Sequence, residues 1–390
     1  MKKKFTILAA LAAVLLIGAV VVIAMGPYDA RGLEYTVNAD GVTCTITGVG
    51  SCKTRKVRIP DEMDGYRVTA IGKNVFYNYG NPKLGDDEMP TTNKLKEVTI
   101  PDSVTVIGAG AFYGSNQLKT VKLPSGLQTL GTAAFYNCTS LNDVVLPDTL
   151  QNLGDAVFYN CQSLEIMTLP DSITKIGQGM FYDCKALHTL YFSEDVTEIG
   201  SMAFYGCASL REITVPDGVT EIADWTFAHC SSIEKIVLPA GITRIGARAF
   251  SSCKSLEQLS IPSGVKEISN HAFYECKRLT QLTLPDSLTT LGVYAFNECT
   301  GLQSVTLSRS LTELGDRTFD GCKALQTLTI PASVQKLGVG LLASSGVTKV
   351  IYEGTLSQWN AMDKDDRWYA TTPLTEVVCE DGNAALTPGA

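Results

Sequence analysis

The stretch Leu95-Lys96-Glu97-Val98-Thr99-Ile100-Pro101-Asp102-Ser103-Val104-Thr105-Val106-Ile107-Gly108-Ala109-Gly110-Ala111-Phe112-Tyr113-Gly114-Ser115 decides the fold. Val98-Thr99-Ile100 alternates inward and outward, the two-residue period of a strand. Pro101 has no amide hydrogen to donate, so it ends the ladder there. Val104 and Ile107 begin a second short extended segment. Gly108 is expected to make a sharp turn that a side chain would resist, and Ala111-Phe112 fits a turn of 3₁₀ helix whose ring points into the core. So small an apolar set cannot offset the entropy of ordering its own backbone, so the coil must be stacked on neighbours.

Outward from this stretch the pattern repeats. Phenylalanine stands at Phe112, Phe135, Phe158, Phe181, Phe204, Phe227, Phe250, Phe273, Phe296 and Phe319, always 23 residues apart. Cysteine follows each by three residues from Cys138 to Cys322, with Ser115 in its place in the quoted unit. An Ile/Leu–Gly pair precedes each Phe, as in Leu130-Gly131, with Ala223 and Ser269 replacing the glycine. Proline closes the strand at Pro101, Pro124, Pro147, Pro170 and Pro216, while Ser193 and Ser308 replace it in two units. A constant period in the twenties is the signature of a solenoid.

The pattern Leu-x-x-Val-x-Ile-Pro-x-x-Val-x-x-Ile-Gly-x-x-Ala-Phe-x-x-Cys resembles the 23-residue repeat of the BspA-like leucine-rich proteins, a family of bacterial surface proteins. The resemblance covers about Leu33 to Gly382. It implies a mainly β solenoid: a right-handed leucine-rich-repeat superhelix with a parallel β-sheet on the concave face and short β and 3₁₀ segments opposite. A β-hairpin N-terminal cap and a C-terminal cap complete it. It also implies a non-enzymatic cell-surface protein that mediates adhesion or other protein–protein contacts.

On this reading residues 33–59 are the hairpin cap, 60–351 a solenoid of about twelve coils with an insertion at 78–94, 352–382 the closing cap and 383–390 a loose tail. Residues 1–26 begin Met1-Lys2-Lys3-Lys4 and continue through an uncharged apolar run from Phe5 to Met25. That run is longer than the usual signal core of about 7–15 residues and close to the roughly 20 of a spanning helix. A cleaved secretory signal and an uncleaved membrane anchor both fit, and either exports the remainder.

Composition agrees with a folded, exported body: hydrophobic residues make up 45% and charged residues only 18%, which excludes disorder. The formal charge is −8. The chain beyond residue 26 carries −8 − 3 = −11 once Lys2, Lys3 and Lys4 are set aside. Such a surface repels a phosphate backbone, so no nucleic-acid partner is expected.

No constellation for catalysis stands out, and neither metal nor cofactor is expected. His188, His229 and His271 fall at different phases of the repeat, so they cannot cluster as zinc ligands do. Stacked coils lie about 4.8 Å apart, which sets parallel Cβ atoms outside the usual disulfide range. A buried column of free thiols is therefore favoured over bridges or a metal for the nine repeat cysteines. Cys44 and Cys52 differ, because both lie in the N-terminal cap and could bridge it; Cys379 has no evident partner. Asp86-Asp87-Glu88 lacks the spaced ligands of a calcium loop and reads as solvated.

Two surfaces are candidates for binding. Tyr113, Tyr136, Tyr159, Tyr182 and Tyr205 each follow an inward Phe in five consecutive coils. They form either an aromatic strip for protein or sugar, or plain cover for the turn. On the sheet face Val145, Ile166 and Tyr191, with Val237 beyond them, make an apolar patch among Thr and single charges. The expected partner is a protein on a host or neighbouring cell surface, with polysaccharide the alternative. A monomer is expected, touching membrane only through its N-terminal segment.

Overall fold

Alternation along Glu97–Thr99 sets the first ladder: Val98 is buried while Glu97 and Thr99 face water. The same strand returns once per coil, as Ile166–Thr168, Thr189–Tyr191, Glu212–Thr214 and Lys235–Val237. Pairing is parallel and advances by one repeat, Ile166 opposite Thr189 and Thr168 opposite Tyr191. A second parallel ladder runs through two-residue strands such as Val106–Ile107, Thr129–Leu130 and Asn152–Leu153. This computed structural model describes the backbone of residues 22–23 and all of residues 32–77, 79 and 93–386. The expected signal or anchor, apart from the backbone at Val22–Ile23, lies outside the described residues. So do Asp86-Asp87-Glu88 and the last four residues.

Between the ladders lies the core. The ten repeat phenylalanines and Phe76 before them are fully buried. Their rings stack from Phe76 to Phe319 with centroids 5.1–5.9 Å apart and planes within 14° of parallel. Identical side chains at one-coil spacing have little choice but this offset stack, which aromatic quadrupoles favour.

Two details of the coil differ from expectation. Ala111-Phe112 does not form a 3₁₀ turn. Gly110 and Gly114 have φ of +62° and +71°, and a left-handed residue at every fourth position breaks any helix into successive β-turns. Tyr113 N–H donates to Gly110 O and Ser115 N–H to Phe112 O. Gly108, in turn, is not the left-handed residue. Its absent Cβ would stand 2.8 Å from the carbonyl carbon of Gly72 in the preceding coil, so it is small because two backbones pass there.

The solenoid winds about 14 turns and holds almost no helix, two turns more than the twelve expected. Both end segments join the ladders rather than merely covering them. Thr43–Gly48, antiparallel to Glu34–Val37, pairs in parallel with Tyr66–Ile71. At the other end Lys336–Leu337 continues onto Asp363–Lys364, and Lys349–Tyr352 onto Glu376–Cys379. Gly382–Ala384 then turns back antiparallel. Helix Leu356–Ala361, started by a capping box of Thr355 and Gln358, buries Trp359. Among the described residues no helix is long and apolar enough to cross a membrane.

Candidate functional site

The cysteine column is structural. All twelve cysteines are free and buried. Each repeat thiol donates to the carbonyl of the Phe one coil earlier, Cys138 to Phe112 and so on to Cys322 and Phe296, at 3.0–3.2 Å. Burial pushes these thiols upward, Cys230 and Cys299 to about 12, so they remain protonated donors. The departure at Ser115 has a local reason. Asn93 Nδ2 donates to Phe76 O at 2.8 Å, supplying the bond a thiol makes elsewhere. Cys44 and Cys52, which could have bridged the cap, are both free thiols: Cys44 donates to Tyr66 O, while Cys52 accepts from the Tyr79 hydroxyl. The strand Thr43–Gly48 and the turn after it hold the two thiols against different neighbours. Among the described residues no group of three His, Cys, Asp or Glu could hold a metal ion.

The tyrosines of the strip are half-buried, not free. From Tyr113 to Tyr205 their rings stack with centroids 4.2–4.6 Å apart and planes within 6°. Burial, then the neighbouring phenols, raises the Tyr113 hydroxyl to about 12 and also raises Tyr159 and Tyr205. The strip continues where the repeat spacing of tyrosine stops. Tyr205 meets Trp225 and His229, Arg248 lies 4.6 Å over Trp225, and His271 stacks on Tyr294. Trp225, Arg248, His271 and Tyr294 share one phase, three residues before the tyrosine phase. The signal was present: where this phase holds Gly110, Ala133, Ala156 or Gly179, Tyr fills the other, and where Trp225 and Arg248 enter, the other holds Ala228 and Ser251.

On the sheet face the structure brings the predicted apolar residues out into water. Val145 is 75% exposed, Tyr191 61%, Ile166 54% and Val237 41%. They stand on the strands at or beside Asp143–Val144, Ile166–Thr168, Thr189–Tyr191 and Lys235–Val237, with inward neighbours such as Met167 and Ile236 buried. Between the first two strands lies an open depression of about 560 Å³, lined by Val145, Ile166, Leu146 and the carboxylates of Asp143, Asp148 and Glu165. Asp143 and Asp148 lie on one coil and Glu165 on the next, so the three acids converge only when the coils stack.

Comparison with known proteins places this geometry. The model of the BspA type leucine rich repeat region matches in six copies, over residues 82–207, 181–277 and 243–362. The chain belongs to the BspA-type leucine-rich-repeat family. Among solved structures, this BspA-type chain is similar to a leucine-rich cell surface protein from Faecalibacterium prausnitzii. The identity is 29% and the TM-score 0.61, over 86% of this chain and 96% of that one. A leucine-rich repeat protein from Bacteroides ovatus shares the fold at 21% identity and TM-score 0.68, over 90% and 100% of the two chains. The pneumococcal vaccine antigen PcpA shares it at 19% and 0.54, over 91% and 92%. No curated protein matches the sequence. BspA-type solenoids are in general non-enzymatic binding scaffolds, and the family is of surface type.

Proposed function

We propose that this BspA-type protein stands at the bacterial cell surface as a monomer and binds a protein on a host or neighbouring cell through its sheet face, as an adhesin does. The observation carrying this reading is the grouped exposure of Val145, Ile166 and Tyr191 on three successive coils of the sheet. Solvated aliphatic and aromatic side chains grouped on three successive coils mark an interaction surface. Covering them would be favourable by roughly 25 cal/mol for each Å² of apolar surface removed from water. The likeness to a cell surface protein of F. prausnitzii supports display outside the cell. Polysaccharide docking on the tyrosine strip has less support. Sugars stack on ring faces, and these faces already lie on one another at 4.2–4.6 Å.

The test is binding of the labelled full chain to intact bacterial and epithelial cells, with and without protease treatment of the cells. Protease should abolish binding. The triple variant V145T/I166T/Y191T should retain the fold and lose most of it, whereas Y136S/Y159S/Y182S should bind as the wild type does. Equal binding by the V145T/I166T/Y191T variant would sink the assignment to this face.

A further inference from the structure

The charge around the apolar patch is one-sided. The three sheet-side segments Leu141–Asp148, Leu164–Asp171 and Leu187–Asp195 carry Asp143, Asp148, Glu165, Asp171, Glu194 and Asp195, and no Lys or Arg. All six are exposed, and no ion pair engages any of them among the described residues. Lys175 and Lys185 lie on other parts of these coils; in the corresponding sheet-side segments the nearest bases are Lys119 and Lys122 before and Arg211 and Lys235 after. Elsewhere the sheet face neutralises its own charge across coils, as Lys56–Glu97 and Lys349–Glu376 do at 2.7 and 3.0 Å. The three sheet-side segments with six acids and no Lys or Arg are thus the ones that expose Val145, Ile166 and Tyr191.

Resting on the sheet-face reading above, we infer that the occupant of this patch is a basic polypeptide segment whose apolar side chains sit in the depression between Val145 and Ile166. Its Lys or Arg side chains meet Asp143, Asp148 and Glu165 around the depression. Three coils span about 10 Å between the outer strands, which is close to one Debye length at about 0.1 M salt. The fields of the six carboxylates therefore add at the patch. An acidic or neutral segment would bury the apolar patch but leave these carboxylates uncompensated, which selects against it. The same repulsion turns away an anionic lipid surface.

The experiment titrates the full chain into fluorescent eight-residue peptides: one alternating Leu and Lys, one alternating Leu and Glu, and one alternating Ser and Lys. The Leu–Lys peptide should bind at least about tenfold more tightly than either of the others, and raising the salt should weaken it by about tenfold. In D143N/D148N/E165Q that salt dependence should largely vanish, and V145T/I166T/Y191T should reduce Leu–Lys to the level of Ser–Lys. Equal binding of Leu–Glu, or equal binding of Ser–Lys, overturns the inference, as does indifference of Leu–Lys to either triple variant. Cell binding that needs the apolar patch while the Leu–Lys peptide fails would reject the basic occupant and leave the display function standing. Cell binding that ignores the patch rejects that function itself.

Discussion

At Gly154 a methyl group would stand 2.3 Å from the amide nitrogen of Thr132 one coil below, whereas at Gly126 the nearest atom would be 3.9 Å away. Neither residue has a left-handed φ, so the two separate coil-to-coil crowding from backbone strain. We predict that Gly154→Ala destabilises the protein by about 1–3 kcal/mol through overpacking against backbone. Gly126→Ala should be neutral or stabilising by up to about 1 kcal/mol through the unfolded chain. Urea denaturation of both variants checks this, and equal effects would contradict it. The identity of the small residue was legible from the repeat, but its reason was not. The atoms that forbid a side chain at Gly154 belong to Thr132, 22 residues away in sequence, and nothing local to either residue announces the approach.

A coil is marked by what repeats inside it, and its inward set was readable because every unit restates it. Phe112, Cys138, Leu141 and Val144 fall where the period puts them, and all are buried. Surface columns are less legible, since a ring can reach the same place from two phases, as Tyr205 and Trp225 do. The acids around Val145 likewise need the stacking to be seen together. The cysteine column has a consequence at this scale. Burial raises its thiols from the ordinary 9.0, to about 12 for Cys230 and Cys299 and well above 9.0 for Cys161, Cys184 and Cys207. Above pH 9 the unfolded chain has released thiol protons that the folded chain still holds. The stability these thiols contribute is therefore complete below pH 9 and is lost as the pH climbs toward the folded values. Each fully buried thiol removes about 1.4 kcal/mol per pH unit in that window. Under reducing conditions the urea midpoint should fall steeply between pH 9 and 10.5. The raised hydroxyls of Tyr35 and Tyr113 add to the same slope, so the triple replacement C161A/C184A/C207A, which should flatten it, isolates the thiols. A midpoint that does not move over this range would contradict the column as described.

Taken whole, the molecule is a one-dimensional array in which each coil touches only its neighbours, so a local loss is felt next to where it occurs. The two end coils stand outside the 23-residue pattern. They lack the Phe followed three residues later by Cys, yet Thr43–Gly48 and Asp363–Lys364 complete the ladders by backbone pairing, which any extended residue supplies. The exposed edge is then closed by Gly382–Ala384 and by the helix carrying Trp359, whose indole meets Trp368 edge-on at 5.7 Å and Tyr352 at 5.4 Å. Trp359→Ala removes a buried indole, a change that costs about 3–5 kcal/mol where the surroundings cannot collapse. In a globular domain the cost would spread over the one cooperative unit. Here it should open the closing coils alone. Hydrogen exchange followed by mass spectrometry should show faster exchange over residues 336–384 in the variant, while residues 129–268, several coils away, keep wild-type protection. Faster exchange of equal size along the entire chain would mean that the solenoid unfolds as a single unit, contrary to nearest-neighbour coupling between coils.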